Sequence, residues 1–361
     1  MGIKNLMKYI KTHNSNAIMK KDINDLENKV VCIDTPCILY KYKFSNHNYA
    51  KNSWINNLIY FILNTIKNNI DCVFILEGVA PKEKDVTKHN RYKARENVLK
   101  RSKFLNDLLE NYRLTKTVSS DLELEWKKLD LGNHFNEQVF ENILKKRQIY
   151  SEFVTKEDYT MFLDIVNAFK IHVVQSLNEA ETTCAHLYSK KKCDYIYSQD
   201  SDVLAYYDTD GLVTDIDFKN NSFSYIDKNV LLNNMDFTRD EFLDFCILCG
   251  TDYNYTIPKI GIMTSYKYIK DKKNIFNINL NQNCLDKLNI TWVREKFKLK
   301  EFENNDEIHI EDFIIDWPKC NPYELHRILK HYNIVLTNTV EKMLFELNES
   351  NNSDDDLDYL F

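Results

Sequence analysis

Seven acidic side chains stand where chain ends could turn them toward one common site. Asp34 closes the run VVCID, and Glu77 follows VFIL. Glu179 and Glu181 flank one alanine after IHVV, and Asp200 and Asp202 flank one serine after YIYSQ. Asp252 sits in LCGTDY. Taken singly, each has an ordinary structural explanation. An Asp after a strand commonly caps a helix, and acids in a first turn suit the helix dipole. Together, seven carboxylates at one edge would repel one another, and several would stay protonated unless cations intervened. Mg²⁺ and Mn²⁺ prefer oxygen ligands of this kind. Two such ions about 3.5–4 Å apart suit phosphodiester cleavage: one activates the attacking water and both stabilise charge on the scissile phosphate.

Such a site needs elements that bring these ends together. Residues 29–34 (KVVCID), 71–76 (DCVFIL), 171–174 (IHVV) and 195–198 (YIYS) have the short β-branched composition of strands. Residues 212–216 and 222–226 read as a hairpin or late strands around 217–221. Helical periodicity fills the gaps at 54–67, 156–169 and 180–190. Alternating strands and helices predict an α/β fold with an open, mainly parallel sheet and helices on both faces. Ligands of such sheets bind beyond the carboxyl ends of the strands, where these acids fall. Residues 86–150 break the rhythm: long, charged and helical in composition, they read as an insertion. After 240 the chain reads as entirely helical, with a glycine-containing turn at 259–261. From about 348 it is polar and acidic, which predicts disorder.

The net charge of −6 argues mildly against a polyanion-binding protein. The two signs are segregated, however. Residues 82–103 carry nine Lys/Arg against three acids, a local +6 in 22 residues, and local segregation matters more than the sum. No apolar run approaches the ~20 residues of a membrane span, and the first residues, MGIKNLMKYI, lack the features of a signal peptide. Leu6 also replaces the Ser or Thr of a myristoylation motif. The nine dispersed cysteines then read as reduced thiols of an intracellular protein. Cys246 and Cys249 form a lone CxxC in an apolar helical pattern. It reads as core packing, since a zinc site needs about four ligands.

In order along the chain, MGIKNL, VVCIDTPCILY, FILEGVAPKEKDVTKHNRYKARE, LNEAETTCAHLY, SQDSDVLAY and LCGTDYNYTIPKIGIMTSYKYI resemble the successive motif blocks of the flap endonuclease family, the XPG-type structure-specific 5′ nucleases. The resemblance covers most of residues 1–270. It implies a PIN/5′-nuclease-like fold: a mainly parallel sheet with helices on both faces, a helical arch at about 86–150 and a helix-two-turn-helix at 250–270. Residues 271–347 would be a helical C-terminal part and 348–361 an acidic tail. Asp34, Glu77, Glu179 and Glu181 would form a first metal cluster, and Asp200, Asp202 and Asp252 a second, holding two Mg²⁺ or Mn²⁺. Lys84 and Arg91 match the family's pair of cations on the scissile phosphate. Tyr40 matches an aromatic that stacks on the base at the junction. Lys88, Lys93 and Arg95 on the basic stretch, and Lys259, Gly261 and Lys267 in the helix-two-turn-helix, would contact DNA, with K⁺ bound at the latter element. The implied partner is branched DNA such as a 5′ flap or nick. The tail at 354–361 has the spacing of a sliding-clamp ligand without its Gln and one aromatic. The MGIKNL start and AT-biased composition resemble nucleases of large DNA viruses, so the implied setting is the nucleus or, for a virus, a cytoplasmic replication site.

Several positions depart from the family pattern. Glu77 stands where Asp is usual, and the string EGVAPK is closer to the 5′→3′ exoribonuclease branch. Asn178 replaces a Gly, Lys259 replaces the first Gly of a Gly-Ile-Gly turn, and Pro36 enters a first helical turn. Two rival readings follow: an exoribonuclease, and a junction-binding protein without activity.

Overall fold

In the computed structural model, which describes residues 2–45, 52–130, 132, 134–151, 153–302 and 320–351, seven strands form one sheet. They are β1 (Ile18–Asp22), β2 (Val30–Asp34), β3 (Asp71–Leu76), β4 (His172–Gln175), β5 (Tyr195–Tyr197), β6 (Gly211–Asp217) and β7 (Ser222–Asp227). The sheet order is β1-β7-β6-β5-β2-β3-β4. The pairings from β6 through β4 are parallel, and β7 and β1 add antiparallel strands at one edge. The predicted mainly parallel sheet is therefore the observed one.

The central strands read clearly because both their faces are covered, which makes them apolar runs rather than alternating ones. Val31, Cys32 and Ile33 of β2, and Phe74 and Ile75 of β3, are fully buried. On one face, Cys32, Val73, Ile75 and Ile196 join a core with the helices Leu6–His13, Ala180–Ser189 and Arg239–Cys249. On the other, Phe74 meets Phe162 edge-on at 5.1 Å and Tyr197 stacks on Phe61 at 6.3 Å. These partners come from the helices Lys156–Ala168 and Trp54–Lys67. The helices Pro322–His331 and Asn338–Asn351 return to this second face. There Tyr332 donates to Asp164 at 2.6 Å and Asn56 to the Val335 carbonyl at 2.9 Å.

The strand order places a switch point at β2. From β2 the chain winds outward through β3 to β4, then returns to the other side of β2 as β5. A crevice at the carboxyl ends is the consequence. The antiparallel strand β1 is the element the sequence did not announce. Three of the five residues of its sequence IMKKD are charged, as suits an edge strand protected by lysines.

The chain divides into two compact units, Met1–Lys84 with Lys156–Phe361, and Asp85–Thr155. The second consists of three helices, Asp85–Thr115, Ser120–Lys128 and Glu137–Ser151. It has its own core of Leu105, Leu109, Leu122, Trp126, Phe140 and Leu144. Arg113 ties it together, reaching Glu137 at 2.8 Å and Glu141 at 2.9 Å. Chain after residue 240 is helical wherever it forms regular structure among the described residues. The clamp-ligand spacing at 354–361 lies outside the described residues. All nine cysteines are unpaired thiols, and Cys246 and Cys249 are buried in the core. Among the described residues no helix is long and apolar enough to cross a membrane.

Candidate metal centre

The seven acids reach the crevice from five elements. Asp34 is the last residue of β2 and Glu77 the first after β3. Glu179 is the N-cap of the helix Ala180–Ser189, and Glu181 lies in its first turn. Asp200 caps the 3-10 turn Ser201–Ala205, which contains Asp202. Asp252 follows Gly250, which ends the helix Arg239–Cys249. Glycines permit the close approaches. Gly78 donates to the Asn178 carbonyl at 2.7 Å, and a Cβ there would lie 2.2 Å from the Ser176 carbonyl oxygen. Gly2, at φ +87°, packs so tightly on the 3-10 turn that a Cβ would fall 2.1 Å from Asp200 Oδ1.

Six of the seven acids are buried: Asp34, Glu179, Glu181, Asp200, Asp202 and Asp252 are all at most 5% exposed. Carboxylate oxygens of Asp200, Asp202 and Asp252 lie within 4.8 Å of one another. Both oxygens of Asp202 and Oε1 of Glu181 are buried without a hydrogen-bond donor. Burial pushes the Asp202 carboxyl well above its usual pKa, and the charges of Asp200 and Asp252 push it further. Glu181 is likewise well above the usual range through burial, against which Lys84 pulls back. Asp34 and Asp200 are raised by burial too. Donorless buried carboxylate oxygens are costly without a proton or a cation. An all-oxygen donor set of this charge fits a hard divalent ion.

The supporting contacts are specific. Asp34 Oδ2 accepts from the Ser198 hydroxyl at 2.6 Å and the Cys37 thiol at 2.9 Å. Glu179 Oε1 is held by the Lys84 ammonium, and its Oε2 accepts from the Tyr253 hydroxyl at 2.7 Å. The Lys84 Nζ also lies 3.6 Å from Glu181 and 3.5 Å from Asp252. Burial alone would lower the Lys84 pKa, but the carboxylates of Glu181 and Glu179 outweigh it and the pKa rises. Glu77 is the outlier of the set, exposed where the others are buried. Its Oε2 accepts from the Ala180 backbone N–H at 3.0 Å, so its longer side chain reaches the helix that bears Glu179 and Glu181.

The remaining candidates fall on other elements. Tyr40 is half-buried on the helix Thr35–Ser45, its ring 5.4 Å from Phe44. Pro36 occupies the first turn of that helix, where its missing N–H costs nothing. Lys88 and Lys93 are exposed on the helix Asp85–Thr115, and Arg91 and Arg95 half-exposed. The Arg95 guanidinium stands 4.6 Å over the Phe153 ring. Lys259, Gly261 and Lys267 are exposed at the turn before the helix Ile262–Lys272 or on that helix. Lys259 sits at φ +69°, a left-handed conformation that glycine adopts more cheaply. Sequence reasoning missed Ser198, Cys37, Tyr253 and Lys296, whose Nζ lies 3.8 Å from Glu179 Oε2. Ser198 precedes the Asp200 block directly, which is a usable signal; Lys296 carried none.

Comparison with known proteins places this architecture. The XPG N-terminal domain model matches residues 1–98 and the XPG I-region model residues 170–252. A probable RAD2-like endonuclease of Invertebrate iridescent virus 6 is 35% identical over 87% of this chain and 83% of its own length. Flap endonuclease 1 of Plasmodium falciparum is 26% identical over 95% of this chain and 53% of its own length. The catalytic core of Rad2 in complex with DNA superposes with a TM-score of 0.65, covering 96% of this chain and 100% of that one at 16% identity, a likeness of fold. With both family regions matched and a viral relative similar over most of either chain, the protein belongs to the XPG/RAD2 family of structure-specific nucleases, which includes the flap endonucleases.

Proposed function

We propose that the chain hydrolyses DNA phosphodiesters near single-strand/duplex junctions, as a flap endonuclease or 5′→3′ exonuclease, using two Mg²⁺ or Mn²⁺ held by the seven acids. The observation that carries this reading is the mutual approach of Asp200, Asp202 and Asp252, with donorless oxygens on Asp202 and on Glu181. Asp34, Glu77, Glu179 and Glu181 would hold one cation, and Asp200, Asp202 and Asp252 the other. The chemistry that divalent cations supply at such a site is activation of the attacking water and stabilisation of charge on the scissile phosphate. The protein's own contribution is orientation. Ser198 and Cys37 turn Asp34 by bonding one of its oxygens. Tyr253 and Lys84 fix opposite oxygens of Glu179. Lys84 and Arg91 would neutralise the phosphate as charge develops, and Tyr40 would stack on the base at the cleavage junction. The helical unit Asp85–Thr155 would act as the arch for a single-stranded 5′ end. Replication, repair or recombination of DNA is the setting that fits the viral relative.

The deciding experiment incubates the full chain and Mg²⁺ with a 5′-flap duplex and, separately, with 5′-phosphorylated single-stranded RNA. Flap cutting that leaves a 5′-phosphate is expected. RNA decay without flap cutting would assign the chain to the exoribonuclease reading instead. Junction binding without turnover on flap, nick, gap and four-way substrates would make it an inactive scaffold.

Two variants test the details. Ser198→Ala removes the 2.6 Å bond that orients Asp34. Partners of ligands typically contribute about 10–100-fold, so kcat on the flap should fall about tenfold with the fold retained; an unchanged kcat would remove Ser198 from the site. Lys259→Gly relaxes the backbone at φ +69° while deleting a cation. Stability should hold or rise, whereas binding should weaken and the slope of log affinity against log salt should flatten by about one unit. An unchanged salt slope would mean that Lys259 touches no phosphate.

A further inference from the structure

We propose that Lys296 is a positioning residue for Glu179, supplying a fixed positive charge to the metal centre from a helix outside both family-matched regions. The inference rests on the two-metal reading above. Lys296 belongs to the helix Ile290–Phe297, beyond the regions 1–98 and 170–252. Its side chain is only 3% exposed, and its Nζ lies 3.8 Å from Glu179 Oε2. Burying an ammonium is costly unless a carboxylate compensates, and Glu179 is fully buried.

The geometry makes this more than a chance ion pair. Glu179 Oε2 also accepts from the Tyr253 hydroxyl at 2.7 Å, while Oε1 is held by Lys84. The two ammonium groups lie 6.0 Å and 5.8 Å from the centroid of the same Tyr253 ring. Glu179 thus accepts a hydrogen bond at each oxygen, from Lys84 and from Tyr253, and the Lys296 ammonium stands 3.8 Å from Oε2 as a longer-range ion pair. The helix bearing Lys296 is itself immobilised. Val293 and Phe297 are fully buried, and the Phe297 ring packs 5.7 Å from Tyr253 and 5.0 Å from Tyr206. The Phe297 carbonyl accepts from the Tyr207 N–H at 2.8 Å, and Arg294 grips Asp244 at 2.6 Å. A lysine on so rigid a support can set the rotation of the Glu179 carboxylate. It also offsets one unit of the negative charge that seven acids bring.

Removing the charge and losing the fold therefore have opposite signatures. Without the ammonium the centre is more negative and attracts divalent cations more strongly, yet Glu179 is freer to turn. The test uses the full chain as wild type, Lys296→Met, Lys296→Arg and Tyr253→Phe. Mn²⁺ alone is titrated calorimetrically, kcat and KM are measured on a 5′-flap duplex, and melting is followed in chelator. For Lys296→Met the Mn²⁺ Kd should fall about threefold while kcat falls about tenfold and KM for DNA stays within about twofold. Lys296→Arg should return both values toward wild type. Tyr253→Phe, which keeps both charges, should lower kcat without tightening Mn²⁺. Unchanged Kd and kcat in Lys296→Met would overturn the proposal. So would weaker Mn²⁺ binding together with a lower melting temperature that Arg does not repair, which marks a merely structural lysine. A wild type that binds no Mn²⁺ and cuts no flap would instead sink the two-metal reading, and the proposal with it.

Discussion

Asp200→Asn should lower cleavage of a 5′-flap duplex by about 10³-fold or more while leaving the fold and junction binding in place. The substitution isolates the charge. Asp200 caps the 3-10 turn Ser201–Ala205 by accepting from the Asp202 N–H at 3.0 Å. Asparagine is an equally good N-cap and keeps that acceptor oxygen. The shape is conserved, which matters because Gly2 packs directly on this side chain. What disappears is one of three carboxylates whose oxygens lie within 4.8 Å of one another. On this reading, junction affinity would depend on other groups, chiefly lysines and backbone N–H groups that meet phosphates. Binding measured in Ca²⁺ should accordingly stay within about threefold of wild type. Calorimetry should show weaker Mn²⁺ uptake, and the melting temperature in chelator should hold or rise, since a buried carboxylate repelled by Asp252 and Asp34 has been neutralised. A variant that retains more than about a tenth of wild-type turnover would end the assignment of Asp200 as a ligand.

The acids were legible because each stands where a regular pattern stops. Asp34 and Glu77 end apolar strand runs, and Glu179 and Asp200 begin helical ones, so local periodicity alone placed them at the carboxyl edge. Their convergence was not local information. It depends on the return of β5 to the side of β2, a property of strand order. Strand β1 was missed because a lysine-rich edge strand lacks the apolar run that marks a central one. Lys84 and Arg91 were read together as a pair of cations for the scissile phosphate. The basic stretch alone could not show that Lys84, at the end of the first segment of its compact unit, is buried among carboxylates, or that Arg91 lies on the helix Asp85–Thr115. Lys296 could not be anticipated, since nothing in its own neighbourhood distinguishes a buried partner of Glu179 from an ordinary helix residue, whereas Tyr253 directly follows Asp252 and so carried the same kind of signal as Ser198. Glu77 shows a different limit. Its type marked it as unusual, but only the structure showed that its oxygen reaches the Ala180 N–H.

Lys84→Met should separate two roles that one ammonium combines. In turnover, the loss should be about 10²–10³-fold, as for removal of one preorganised donor from a developing oxyanion. In stability, the effect should depend on divalent cations. Lys84 faces Glu179, Glu181 at 3.6 Å and Asp252 at 3.5 Å, so its removal leaves these acids less compensated. The direction with pH follows from linkage. The folded-state pKa of Lys84 is raised, so its contribution is complete below the ordinary lysine value and is lost only as pH rises through the folded one. At neutral pH the variant therefore loses all of it. Asp34, Glu181, Asp200 and Asp202 are also raised, chiefly by burial. For carboxyls this means that the fold binds protons more tightly than the unfolded chain, and stability falls as pH climbs from the ordinary carboxyl range of about 4 through the folded values. Without Lys84 that fall should steepen in chelator, read as melting temperature between about pH 4 and 8. Mg²⁺ should then restore the melting temperature of Lys84→Met toward wild type, because cations replace the missing charge, but should leave turnover low. If Mg²⁺ restores both, Lys84 is only a counter-ion of the acids and has no part in meeting the phosphate.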